Sequence, residues 1–312
     1  MATTVGIVGA GLVGRAWSIV FARAGCKVRL FDQAEGAAEK AVDRIAGDLP
    51  ALAALDLLGG FDPTQVLDRL SVAPSLEAAV AGADYVQENT PERVEVKQAV
   101  FAALDAAAPA HTLLASSTSG IVASAFTENL AGRARCLVAH PLNPPHLIPL
   151  VELVPAPWTA TETVERAREI LTDAGQSPVT LFREVPGFIV NRLQGALLHE
   201  AFKLVADGVT DVAGVDTAMA EGLGLRWSFM GPFETIDLNA PGGVADYIDR
   251  FGPLYWNLAK DSGPPRRWDA ELSAQVDRAR RAVLPDSGLG DRQRWRDGRL
   301  MQLAAHKRSA TD

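Results

Sequence analysis

"VGIVGAGLVGRAWSIVFARAGCKVRLFDQ", residues 5–33, decides the fold. Val5, Ile7 and Val8 suit a short buried strand. Gly9, Gly11 and Gly14 then form G-x-G-x-x-G, Val13 to Ala24 reads as an apolar helix, and a second strand from Val28 to Phe31 ends at Asp32. Each residue type has a mechanical reason: the first glycine permits a tight turn, the second lets backbone amides approach a pyrophosphate, and the third lets helix and strand pack closely. The helix N-terminus then faces the phosphates. Asp32, eighteen residues after Gly14, is placed to accept from ribose hydroxyls and to repel a 2′-phosphate, which selects NAD over NADP. The competing reading is a glycine-rich turn in another kind of α/β domain.

Outward from this unit, apolar strands and helical periods keep alternating. An amphipathic segment runs from Ala34 to Leu58, a strand over Leu70–Val72, a short helix over Leu76–Ala81, and then the strand "DYVQEN". A helix over Glu92–Ala107, the strand "TLLASSTSG", the strands "ARCLVAHP" and "LIPLVELVP", a helix over Thr161–Ala174 and the strand "PVTLF" follow. Such alternation predicts an α/β architecture, a Rossmann-type, doubly wound, mainly parallel sheet covered on both faces. From "REVPGFIVNRLQGALLHEAFKLVADGV" onward the period is helical only. Val190, Leu193, Leu197, Ala201 and Leu204 mark one face, and "APGGVADY" and "DSGPPRRWD" serve as breaks. The expected organisation is residues 1–186 as the NAD-binding domain and 187–312 as an all-α C-terminal domain whose apolar faces serve substrate binding and homodimer formation.

Composition narrows the function. With 48% hydrophobic and 22% charged residues and a net charge of -8, the chain has the make-up of a globular protein. That negative charge argues against a nucleic-acid or anionic-membrane surface as the main partner, since either would select a basic face. Its two cysteines, Cys26 and Cys136, form neither a CxxC nor a metal-ligand spacing, so reduced thiols and no metal are expected. No basic leader precedes the first strand and no apolar run has membrane length, so the expectation is a cytoplasmic enzyme acting on a small molecule.

The chemistry points to "AHPLNPPHLIPLVELVP", residues 139–155, an apolar and proline-dense run that carries His140, Asn143 and Glu152. Moving a hydride from a carbinol carbon requires a base for the hydroxyl proton, and a histidine suits both directions of that reaction. His140 ends a strand, at the edge where ligands sit in a parallel sheet. The Pro144–Pro145 turn lets the next strand fold back, so that Glu152 reaches the imidazole, sets its tautomer and stabilises the imidazolium. The alternative is a satisfied core histidine with Glu152 paired to a buried arginine.

These residues resemble the 3-hydroxyacyl-CoA dehydrogenase superfamily, through "GAGLVG", "SSTSG", H-x-x-N with the later glutamate, and "VPGFIVNRL". Within it the chain is most similar to the lambda-crystallin and L-gulonate 3-dehydrogenase branch, through residues 139–155, "EGLGLRWSFMGPFETIDLN" and "RQRWRDGRLM". The resemblance implies that His140 is the acid/base and Glu152 its orienting partner. It also implies that Ser119, Asn191 and Asn143 hold the substrate oxygen and the catalytic groups, and that Glu92 and Lys97 lie beside the cofactor. Against these stand plainer roles: Ser119 as a helix N-cap, Asn191 as a cap or an interdomain bridge, Glu92 and Lys97 as a solvated helix face.

Arg226 is the candidate anchor for a free carboxylate, since a guanidinium binds one with two hydrogen bonds. The alternative pairs it with Glu221 or Glu234. The expected reaction is thus NAD-dependent oxidation of the 3-hydroxyl of a free, L-gulonate-like hydroxy acid to the 3-oxo acid. A short-chain 3-hydroxyacyl-CoA dehydrogenase is the runner-up, and a non-catalytic, crystallin-like NAD-binding protein the remote alternative. His111, His146, His199 and His306 read as structural or exposed. Arg292, Arg294 and Arg296 around Trp295 read as a solvated helix rather than a reach into a partner's site.

Overall fold

A computed structural model describes residues 2–263 and 267–310. The strands are β1 (Thr4–Val8), β2 (Lys27–Phe31), β3 (Leu70–Val72), β4 (Tyr85–Glu88), β5 (Leu113–Ser116), β6 (Cys136–Pro141), β7 (Leu150–Pro155) and β8 (Ser177–Thr180). They form one eight-stranded sheet in the order β3-β2-β1-β4-β5-β6-β7-β8. All neighbours are parallel except β6 and β7, which pair antiparallel. The order reverses direction at β1, the point at which a doubly wound sheet opens a crevice for its ligand.

Both faces of the sheet are covered. On one, the helix Leu12–Arg23 buries Trp17, Ile19, Val20 and Phe21 completely or nearly so, which explains why that stretch reads as apolar all round rather than striped. Trp17 stacks on Phe21 with centroids 5.5 Å apart, and Phe21 meets Tyr85 at 5.4 Å. On the other face, Phe101 and Leu104 of the helix Val94–Ala107 pack with Phe126, Val86 and Val138. Each such side chain contributes about 1.5–3 kcal/mol on burial. The segment expected as one helix over Ala34–Leu58 is a helix only over Ala37–Ala53, and a short capped helix, Pro63–Leu67, follows.

The chain divides into two compact units, residues 1–190 with 296–312, and residues 191–295. The first contains the whole sheet. It also contains the end of the last helix, Leu289–Ser309, whose Leu300, Met301, Ala304 and Ala305 pack against the core. Residues 296–310 therefore group with the sheet, not with the helical domain expected to run through 187–312. The reason is local: these four side chains form an apolar stripe at helical spacing in an otherwise charged segment, a signal that the arginines beside it mask.

The second unit is helical, with Val212–Thr217, Pro232–Leu238, Gly243–Asp261 and Ala270–Val283 following the long helix Val190–Ala206. Asp211 and Asp269 cap two of these helices by accepting from Gly214 N at 2.7 Å and Leu272 N at 2.9 Å. The break "APGGVADY" contains Gly243 at φ 71°, a left-handed conformation that suits glycine. Of "DSGPPRRWD", residues 264–266 lie outside the described ones. Among the described residues no helix is long and apolar enough to cross a membrane.

Candidate active site

The glycine loop is built by exclusion. Gly9 has φ 92°, and a Cβ there would meet the carbonyl oxygen of Asn89 at 2.7 Å; a Cβ on Gly14 would sit 1.9 Å from the carbonyl oxygen of Gly9. A Cβ on Gly11 meets nothing within 4 Å, so the space in front of the loop is open where a phosphate would approach. Gly11 also caps the helix Leu12–Arg23 without any side-chain bond to its amides. Asp32, one residue past β2, ties this loop down by accepting from Ala10 N at 2.7 Å and from Ala34 N at 2.9 Å. A carboxylate has lone pairs beyond those two, enough for ribose hydroxyls. Gly9, Gly11, Gly14 and Asp32 therefore fit an NAD pyrophosphate and ribose.

Behind the loop lies a charged cluster that the sequence only half disclosed. Lys97 is 1% exposed, so it does not stand on a solvated helix face. Its amine donates to both carboxylate oxygens of Glu88 at 3.2 and 3.1 Å and lies 3.7 Å from Glu92. Glu88, fully buried at the end of β4, also accepts from Ser116 Oγ and from the Thr90 amide, each at 2.5 Å. Glu92 in turn accepts from Thr118 Oγ1 at 2.6 Å and from the amides of Ser119 and Gly120 at 3.0 Å. Burial opposes ionisation of Glu92, but the Thr118 hydroxyl, Lys97 and these amides outweigh it and hold its carboxyl below the ordinary range.

Glu88 is the residue the sequence reading missed. The signal lay in "YVQEN", where a buried parallel strand ends in consecutive polar side chains. Gln87 and Asn89 belong to the same run. Gln87 Nε2 donates to Ser117 Oγ at 2.6 Å and to the Ala139 carbonyl at 3.1 Å, and Ser117 is also held by Trp17 Nε1 at 3.0 Å. This network fastens the strand that carries His140.

On β6 and β7 the antiparallel register places His140 directly opposite Glu152. Imidazole Nδ1 and Glu152 Oε2 are 2.7 Å apart. The second carboxylate oxygen accepts from the backbone amides of Ile189 and Val190 at 2.6 and 3.0 Å. Those two amides are aimed by "VPGF": Gly187 has φ 77° and Phe188 φ 51°, and two successive left-handed residues turn the chain so that the next two N–H groups point one way. Phe188, fully buried, also meets the His140 ring at 5.4 Å. Burial would raise the Glu152 pKa, yet the bonds from His140, Val190 and Ile189 prevail and lower it. A carboxylate ionised and bonded in this way engages Nδ1 and leaves Nε2 as the ring nitrogen that Glu152 does not hold.

The remaining expected residues are distributed as follows. Ser119 is exposed beside Glu92, its hydroxyl 3.3 Å from that carboxylate. Asn143 is exposed and joined to Pro144 by a cis peptide bond. Asn191 is the first residue of the helical unit, immediately after the Val190 amide that holds Glu152. Arg226 lies in the same unit on the turn Gly224–Trp227, is exposed, and among the described residues has no carboxylate within ion-pair distance, neither Glu221 nor Glu234. Arg292 covers the Trp295 ring at 3.5 Å, while Arg294 pairs with Asp291 and Arg296 with Asp297.

The model of the 3-hydroxyacyl-CoA dehydrogenase NAD-binding domain matches residues 4–185, and that of the C-terminal domain matches residues 187–272. The chain belongs to the 3-hydroxyacyl-CoA dehydrogenase family. Among its relatives in that family, the lambda-crystallin homolog of Bos taurus is 42% identical over 306 residues, covering 97% of this chain and 95% of that one. L-carnitine dehydrogenase of Streptomyces griseus is 45% identical over 250 residues, 80% of this chain and 73% of that one. The crystal structure of an NAD+-dependent 5-formyl-3-hydroxy-2-methylpyridine 4-carboxylic acid 5-dehydrogenase superposes with a TM-score of 0.83 at 28% identity, over 99% and 98% of the two chains. This family member is accordingly an NAD-dependent oxidoreductase acting on CH–OH groups.

Proposed function

We propose that the protein oxidises the 3-hydroxyl of a free, L-gulonate-like hydroxy acid, with His140 as acid/base and Glu152 as its orienting partner. The observation that carries the reading is the 2.7 Å His140–Glu152 contact, with the other Glu152 oxygen held by two backbone amides. NAD, when bound, accepts the hydride. His140 Nε2 takes the hydroxyl proton, and the ionised Glu152 on Nδ1 stabilises the imidazolium that results. Ser119 and Asn191 bind the reacting oxygen, and Asn143 orients the substrate. Gly9, Gly11, Gly14 and Asp32 hold the dinucleotide, while Glu92 and Lys97, braced by Glu88, shape the wall beside it.

Arg226 binds the substrate carboxylate. In support, its guanidinium has no acidic partner among the described residues, and L-carnitine, the substrate named for one group of relatives, is itself a free acid with a hydroxyl at C3. The experiment is NADH formation with L-gulonate, L-carnitine, 3-hydroxybutyrate and 3-hydroxybutyryl-CoA side by side. A free acid is expected to turn over, with a raised KM in Arg226→Ala. Preference for the thioester would replace this substrate reading, and no turnover of any of them by a protein that binds NAD would favour the non-catalytic one.

The helical unit is proposed to form a homodimer. Leu193, Phe229, Phe233 and Trp256 are 64%, 68%, 77% and 64% exposed in one chain, a load of apolar surface beyond the scattered norm. Light scattering during size exclusion tests it: twice the chain mass is expected, and a monomer at micromolar concentration refutes it. A reducing, cytoplasmic setting is proposed as well, in keeping with the free thiols Cys26 and Cys136.

A further inference from the structure

The sheet unit contains a cavity of about 730 Å³ that shares no lining residue with the glycine loop, Asp32, His140 or Glu152. Its walls are mainly apolar, with Leu57, Phe61, Leu147 and Leu303 among them, and its lining charges are Arg23, Lys307 and Arg308, the last also paired with Asp56 at 3.3 Å, against the single lining acid Asp173. Arg23 is the unusual one. It donates to the carbonyls of His146 at 2.8 Å and Leu57 at 3.3 Å, but among the described residues no carboxylate pairs with it. Burial and the nearby Arg308 push its pKa down to about 10, the sign of a cation lacking a counter-charge. Beside it, Nδ1 of His146 is buried without a hydrogen-bond partner. A partly buried guanidinium and an orphaned imidazole nitrogen are both costly unless something satisfies them.

We infer that this cavity binds an organic anion, a carboxylate head on an unbranched apolar body, with the head at Arg23, Arg308 and His146 and the body along Leu57, Leu147 and Leu303. Its volume lies within the range of small-molecule sites. Such a ligand leaves the catalytic residues untouched, although Leu147 belongs to the segment that joins Asn143 to β7. The site does not depend on which hydroxy acid the enzyme oxidises.

The test is calorimetric titration of the full chain with sodium octanoate, with 1-octanol and inorganic phosphate as tail-only and head-only controls. Saturable octanoate binding is expected, at least tenfold tighter than either control. Arg308→Ala should weaken it about tenfold, and Leu303→Trp, which fills the cavity from an exposed helix position, should abolish it. Both variants should keep wild-type NADH formation. Absence of saturable binding overturns the proposal, as does octanoate binding that survives both variants or is lost instead in Arg226→Ala, which would put the acid in the substrate site.

Discussion

The two units of this chain are stabilised in different ways. In the sheet unit, strands β4, β5 and β6 are buried along their whole length and both faces carry helices. In residues 191–295, by contrast, only Val205, Thr235 and Ala240 are buried among the described residues, and the helices Gly243–Asp261 and Ala270–Val283 bury nothing. A parallel sheet must be covered to satisfy its backbone and its side chains, so its core is complete within one chain. A helix satisfies its own backbone and can leave its apolar face for another surface. Precision therefore resides in the first unit, which has the hydrogen-bonded His140–Glu152 pair, and adaptability in the second, which has the exposed Arg226.

Substitutions can break that contrast. The largest effect is expected for His140→Ala: kcat should fall about a thousandfold, the range for loss of a general base, with NAD affinity unchanged by titration. Comparable loss from Arg226→Ala would show that the helical unit takes part in chemistry. Leu153→Ala, in the sheet core, should cost about 2–5 kcal/mol in denaturant unfolding, because it leaves a cavity that the sheet cannot close. Asp32→Ala should raise the KM for NAD about tenfold and narrow the preference over NADP, since it removes both a ribose acceptor and the tie to Ala10, in line with one charge-assisted hydrogen bond. Leu193→Ala, 64% exposed, should change monomer unfolding by less than about 0.5 kcal/mol while weakening self-association.

A pH series sharpens the same comparison. The folded protein holds the Glu152 carboxyl below its ordinary value, so folding favours the ionised form. That stabilisation is present above the unfolded value near 4.5 and is lost as pH falls through the lower folded value. Glu152→Gln should remove this part of the acid sensitivity, so that the stabilities of wild type and variant converge on acidification. A constant gap between pH 7 and pH 3 would mean that folding leaves the Glu152 carboxyl at its unfolded value.

The sheet was legible because its information is local: Gly9, Gly11, Gly14 and the apolar strands each constrain their own neighbourhood. The His140–Glu152 contact was legible because only one proline-bound return of the chain separates the two. What stayed hidden depended on distant partners. Lys97 lies on a helix dense in charge, and the buried run that ends in Glu88, nine residues earlier, does not by itself show that the two side chains meet. The two amides on Glu152 come from residues 37 and 38 positions away. Residues 296–310 interleave Arg296, Asp297, Arg299, Lys307 and Arg308 with apolar residues, so the four side chains that pack against the core were lost among the charges.

That last docking bears on how the protein is made. The helical unit begins after Val190 and ends before Arg296, so it interrupts the sheet unit in sequence. Domains usually fold from the N-terminus as the ribosome delivers them. Here the sheet unit has all eight strands once residue 180 has emerged, but the Leu300, Met301, Ala304 and Ala305 contacts wait until more than a hundred further residues have been translated. During that interval the face they cover is open to chaperones and proteases. A chain that stops within the helical unit has all eight strands but leaves the core flank that Leu300, Met301, Ala304 and Ala305 cover without those contacts.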